Sequence, residues 1–232
     1  MDQSKIWDHY QNPGVEHDVF SDASPRYRFL ARQAGQGAKV LNIGVGRGGL
    51  EALMVDNGAV VSCLDPSEKA VDFVRTAYGL GDRAKTGFSQ AMPFGAGEFE
   101  VVVMSEVLEH LSDDVLDATL GEVNRVLKPG GRFVGTVPAN ENLASNLTLC
   151  PHCGESFHRW GHMQSFSPHR MRDMLHSHGF DVRLLQLRAF PDWQRPGLAN
   201  LVKSTVRHVL GRTGSPITNP NIYFEAQTAS QG

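Results

Sequence analysis

The sequence is poor in the features that mark several large protein classes. It holds three cysteines among 232 residues. That is too few for a disulfide scaffold, and Cys63 falls in an apolar run expected to be a buried strand. No stretch reaches the roughly 18 consecutive apolar residues of a membrane span. Met1 to Lys5 lead into no apolar run, so no signal peptide is expected. Neither sign of charge dominates, with 22 Lys and Arg against 25 Asp and Glu and a formal charge of -3. Such a balance provides no broad field to hold nucleic acid or an anionic membrane. What the chain does have is 41% hydrophobic residues, enough for a core, and a length that suits one large domain or a domain with a modest insertion. The expectation is a cytoplasmic protein without membrane or nucleic acid as partner; a homodimer stays open.

The sharpest local signal is Val40-Leu41-Asn42-Ile43-Gly44-Val45-Gly46-Arg47-Gly48-Gly49. An apolar strand runs into a glycine loop, and a helix begins at once. Glycines there let main chain approach a ligand that a side chain would repel. A second apolar strand, 60–64, ends at Asp65, 21 residues beyond Gly44. At that distance a doubly wound sheet offers a carboxylate to a ribose diol. The two features together point to a nucleoside-containing cofactor.

The surrounding chain alternates strand and helix. Strands are expected at 39–43, 60–64, 85–88, 100–104 and 132–137, the last after a Lys128–Gly131 turn, with helices at 47–56, 67–78 and 113–127. This order predicts an α/β, doubly wound, mostly parallel sheet covered on both faces. Two helical pieces are expected within 1–35, the first carrying Ile6, Trp7 and Tyr10 and the second running from Pro25 to Gly35. Beyond Pro138 the pattern stops until Ser167, an N-cap for a helix to His178. Residues 180–190 read as a strand and 200–210 as an amphipathic helix bearing Leu201, Val202, Val206, Val209 and Leu210. A last strand around Ile222, Phe224 and Ala226 predicts an antiparallel member. The expected division is a helical cap over 1–35 and one domain over 36–232, with an insertion at 138–165.

The glycine order GxGxGG is shared by nicotinamide, flavin and S-adenosylmethionine (SAM) binders, so the loop alone leaves the cofactor open. The later segments narrow it. Gln90-Ala91-Met92-Pro93-Phe94, Ser105-Glu106-Val107-Leu108-Glu109-His110-Leu111 and Leu127-Lys128-Pro129-Gly130-Gly131 follow the loop in an order that resembles the class I SAM-dependent methyltransferases. The likeness is to the small-molecule branch similar to ubiquinone and menaquinone methyltransferases. It covers residues 38–137 and, more loosely, 165–190. It implies a seven-stranded, Rossmann-like sheet. It also implies that Gly44 and Gly46, with Asn42 and Ser105, border the amino-acid end of SAM, and that Gly48 supports the loop. Asp65 and Pro66 would lie at the ribose, and Ser89, Gln90, Ala91 and Met92 at the adenine. Two positions depart from the family pattern: Asn42 and Phe88 stand where acidic residues are common.

A second cluster follows the fifth strand. Cys150, Cys153, His158 and His162 are spaced C-x2-C-x4-H-x3-H. Two thiolates and two imidazoles are a donor set that suits tetrahedral zinc. The expectation is a closed, structural zinc site, with His152 as an alternative ligand. Should one histidine fail to reach, an open position would bind an acceptor group.

The expected activity is SAM-dependent methyl transfer to an O, N or C atom of a small-molecule acceptor. His110 is the candidate base, a role that an imidazole pKa near ~6.5 suits; Glu106 is the candidate holder of the methionine end or the acceptor. Besides a dehydrogenase using the same glycine loop, two rivals remain at this point. One is an RNA or tRNA methyltransferase, for which the basic stretch from His158 to Arg172 is the argument. The other is a non-catalytic, zinc-containing interaction protein on a SAM-binding fold.

Overall fold

The computed structural model describes residues 23–229. The expected helix around Ile6, Trp7 and Tyr10 lies outside them. Strands β1 (Lys39–Ile43), β2 (Val60–Asp65), β3 (Ala84–Thr86), β4 (Phe99–Ser105), β5 (Leu127–Pro138), β8 (Phe180–Arg188) and β9 (Asn221–Thr228) make one seven-stranded sheet. The order is β3-β2-β1-β4-β5-β9-β8. β1 to β5 are parallel, while β9 runs antiparallel between β5 and β8. The expected doubly wound sheet and its antiparallel member are both present. β6 (Leu147–Leu149) and β7 (Ser156–His158) form a separate small antiparallel pair that the sequence did not signal.

Alternation along each central strand divides the core into two apolar layers. Leu41, Val102, Phe133 and Phe224 belong to one layer, and Val40, Val101, Val103, Val134 and Tyr223 to the other. Helix α1 (Ser24–Ala34), α2 (Gly49–Asp56) and α3 (Glu68–Ala77) supply Leu30, Leu50, Met54, Val71 and Val74 to the second layer. α4 (Asp113–Val126) and α5 (Pro168–Ser177) supply Leu116, Leu120, Val123, Met171 and Leu175 to the first. Ser67 caps α3 and Ser167 caps α5 through their hydroxyls, as short polar N-caps do.

Two expectations change in detail. Lys128–Gly131 is a bulge inside β5 rather than a turn before it. Phe99 pairs with Leu127 and Val101 with Arg132, and the extra residues are absorbed with Gly130 at a φ of 73°. Helix α6 (Leu198–Arg212) forms where expected, but its apolar residues do not pack inward. Leu201, Val202, Val206 and Val209 are exposed, while Ser204 and Gly211 are buried. A Cβ on Gly211 would meet Ala189 N at 2.6 Å, so the helix docks by its small residues. No helix among the described residues is long and apolar enough to cross a membrane.

Candidate active site

The strand order reverses between β1 and β4, and the carboxyl ends of the strands at such a reversal are where open α/β sheets bind ligands. The glycine loop leaves β1 there. Gly44 has a φ of 90°, and a Cβ on it would meet Val107 Cγ2 at 2.6 Å. This glycine therefore lets the loop lie against the chain leaving β4. Gly48, with a φ of 76°, serves another end: its Cβ would meet Val74 Cγ1 on α3 at 2.7 Å. Gly46 also has positive φ, 56°.

Asp65 ends the neighbouring strand, and its carboxylate is drawn to the loop. Oδ2 accepts Val45 N–H at 2.7 Å and Oδ1 accepts Ser67 N–H at 2.8 Å. An ionised carboxylate has about four acceptor positions, the kind of group that a ribose diol calls for. The positive-φ loop and this carboxylate fit the adenosyl and amino-acid parts of SAM. Asn42 is buried beneath the loop. Its amide donates to Gly44 O at 3.2 Å and to Glu51 Oε1 at 2.6 Å. Glu51, on α2, is a residue that sequence reasoning missed. Burial pushes its carboxyl up to about 8.

Along the third strand's exit, Met92 is buried and its N–H donates to Glu122 Oε2 at 2.7 Å, while Ser89 Oγ bonds Thr119 Oγ1 at 2.8 Å. Gln90 is half-buried, and Pro66, Ala91 and Phe88 are exposed. On the other side, Arg26 of α1 donates from Nε to Ser105 Oγ at 3.0 Å and pairs with Glu106 Oε2 at 3.7 Å. Asn221 Nδ2 donates to the same Glu106 oxygen at 2.8 Å. Glu106 adopts a φ of 55°, which few non-glycine residues do. Such strain clusters at functional sites. Arg26 and Asn221, from opposite ends of the chain, carried no signal in the sequence.

Beyond Glu106 the structure gathers a cluster. One ligand-type atom each from Glu109, His110 and His162 lie within 4.8 Å of one another; so do one each from Glu141, His158 and His162. The expected quartet is not assembled. His158 and His162 come together, but their third member is Glu141, and Cys150 and Cys153 stand outside both groups. Both cysteines are free. The reason is topological: the cysteines sit at the turn of the β6–β7 hairpin, whereas His158 ends β7 at the hairpin's open end and His162 follows it. Burial, reinforced by His162, pushes His110 down to about 3. Burial and the neighbouring Glu106 push Glu109 well above the usual carboxylate range. His158 is lowered by burial and by His162, while Glu141 is lowered by its bond to His162 against the effect of burial.

A family model described as a methyltransferase domain matches residues 15–185. The chain belongs to the methyltransferase-domain family. Among relatives of this methyltransferase, the ubiquinone biosynthesis O-methyltransferase of Thiobacillus denitrificans is 34% identical over 150 residues, 62% of this chain and 63% of that protein. The chain spans between 45% and 63% of the length of three curated relatives that it matches. Solved structures are similar in fold. A Burkholderia thailandensis 1,6-didemethyltoxoflavin-N1-methyltransferase, crystallised with 1,6-didemethyltoxoflavin and S-adenosylhomocysteine, superposes with a TM-score of 0.66 at 18% identity, covering 98% of this chain and 87% of that one. A SAM-dependent methyltransferase from Methanosarcina mazei gives 0.64 at 16% identity, covering 87% and 98%. In fold the chain is similar to these SAM-dependent methyltransferases.

Proposed function

We propose that this methyltransferase moves the methyl group of SAM to an oxygen of a small-molecule acceptor. The observation that carries the reading is the convergence, at one sheet edge, of a positive-φ glycine loop, the Asp65 carboxylate and the Glu106 to His110 segment. The O-methylating relatives favour oxygen as the accepting atom. Asn42, Gly44, Gly46 and Ser105 border the amino-acid end of the cofactor, with Gly48 setting the loop. Asp65 and Pro66 hold the ribose, and Ser89, Gln90, Ala91 and Met92 flank the adenine. Bound there, SAM supplies an electrophilic methyl group that a nucleophile attacks in line.

The protein's own task is alignment, exclusion of water and removal of the acceptor's proton. Arg26 and Asn221 hold Glu106 at the crevice edge, where its carboxylate orients the acceptor. His110 is neutral at physiological pH, and Glu109, with its raised pKa, joins it on the acceptor's side. Of the cap expected over 1–35, α1 lies within the described residues, and its Tyr27 rests on Gly49. A structural zinc on Cys150, Cys153, His158 and His162 is not part of it, because the cysteines stand apart from the histidines.

Incubation with methyl-labelled SAM and a small-molecule extract is the test. The expected product is a labelled methyl ether, formed without added RNA. Label transferred only to RNA, or calorimetry showing no binding heat for SAM, would sink the proposal.

A further inference from the structure

Helix α1, the end of β8 and helix α6 bound a cleft of about 320 Å³, a size at which small-molecule sites begin. Arg28, Phe29 and Arg32, at helical spacing, line it from α1. Arg188 ends β8, Trp193 follows it, and His208 comes from α6. None of the lining residues belongs to the glycine loop, to Asp65 or to the Glu106–His110 segment.

The cleft gathers positive charge without the acids to balance it. Arg28 is answered by Asp192 at 2.9 Å, and Asp192 also draws Arg195 to 3.5 Å. Arg32 and Arg188 reach no carboxylate among the described residues. The sequence has no Asp or Glu between Asp192 and Glu225, and Glu225 is taken by Arg132 at 3.3 Å. Arg188 is held in place from one side. Its guanidinium carbon lies 4.0 Å from the centre of the Phe29 ring and 5.7 Å from that of Phe190. Stacking uses the face of the group and leaves its N–H donors in the plane. Nε is buried and finds no acceptor among the described residues. An unpaired buried donor is costly, and a bound acceptor relieves the cost. Burial and the charge of Arg212 push Arg188 below its ordinary range, and burial with Arg188 and Arg212 does the same to His208. The cations repel one another, and an anion between them would be held by all.

We propose that this cleft binds the phosphate group of an organic phosphate monoester. A carboxylate brings one negative charge, whereas a monoester brings close to two, which matches the two unanswered guanidinium groups of Arg32 and Arg188. A planar fork of donors suits phosphate oxygens, which accept two bonds side by side. Trp193, half exposed and edge-on to His208 at 6.0 Å, gives the organic part a ring to lie on. Two carriers present such a group, a free metabolite and a phospholipid head. The site does not depend on the methyl-transfer reading.

The probes are phenyl phosphate, titrated by calorimetry into the full chain, and phosphatidylcholine vesicles with and without phosphatidic acid, tested by flotation. One phenyl phosphate per chain is expected, displaced by inorganic phosphate and not by SAM. Arg188→Gln should abolish binding, and Arg188→Lys should not restore it, because the planar fork is gone. Arg32 is exposed, so Arg32→Gln leaves the packing alone; it should weaken binding about tenfold or more. Arg207→Gln, on the exposed side of α6, should change nothing. Circular dichroism accompanies each variant. Binding of phenyl phosphate that needs Arg32 marks a free metabolite as the carrier. Flotation that needs both phosphatidic acid and Arg32, without binding of phenyl phosphate, marks a lipid head. Folded wild-type protein that takes neither probe would overturn the site. So would benzoate bound as tightly as phenyl phosphate, binding that Arg32→Gln leaves at full strength, or displacement by SAM, which would put the phosphate in the cofactor site instead.

Discussion

At the scale of single residues, Asn42 shows how a departure from a family pattern acquires a reason. A carboxylate at that position would face the buried Glu51 carboxyl, 2.6 Å away across what is now an amide hydrogen bond. The asparagine supplies a donor instead. Asn42→Asp should cost about 1–3 kcal/mol, the price of a buried acceptor left unpaired, read as a lowered midpoint in urea. Glu51 also sets a pH dependence. Its folded pKa is raised from 4.5 to about 8 by burial. The folded state therefore holds a proton that the unfolded chain has released, and stability falls as pH rises from about 4.5 to about 8. Thermal melting of Glu51→Gln against the unaltered protein should show a flatter decline across that window; identical slopes would remove Glu51 as the cause. Asp65→Ala takes the acceptor from Val45 and Ser67 as well as from the ribose. A tenfold or greater loss of SAM affinity is expected by titration calorimetry.

At the scale of elements, glycines decide the close approaches. A Cβ on Gly135 of β5 would stand 2.6 Å from Met104 O and 2.5 Å from Phe224 Cζ, between β4 and β9. Backbone cannot step aside as a side-chain tip can, so Gly135→Ala should cost about 1–3 kcal/mol by overpacking. For a chain of this size that is roughly 2–4 °C in melting temperature per kcal/mol. Gly211→Ala should act more locally. Its Cβ would press on Ala189, and α6 should exchange its amide hydrogens faster while the central strands keep their protection. Helix α6 was legible as a helix from its spacing, but not in its orientation. Periodicity marks an apolar face; it does not say whether a neighbour covers that face, and here Ser204 and Gly211 make the contact instead.

At the scale of the whole molecule, the two apolar layers meet across β1, β4 and β5, which are buried on both sides. Hydrogen exchange should be slowest there and fastest over 191–218, and a uniform profile would contradict this layering. The amino-acid sequence by itself determined the parallel strands, their helices, the glycine loop and Asp65. Each of these is written in local periodicity, in turn residues and in a short fixed spacing along the chain. Only the tertiary structure decided the chemistry beside the crevice. Arg26 reaches Ser105, Asn221 reaches Glu106, and Glu141 reaches His162 over chain separations that no local pattern encodes. The cysteine and histidine spacing pointed to one metal set. The hairpin carried the thiols away, and the tie between Glu109 and the 161–164 loop put a buried carboxylate beside the imidazoles in their place.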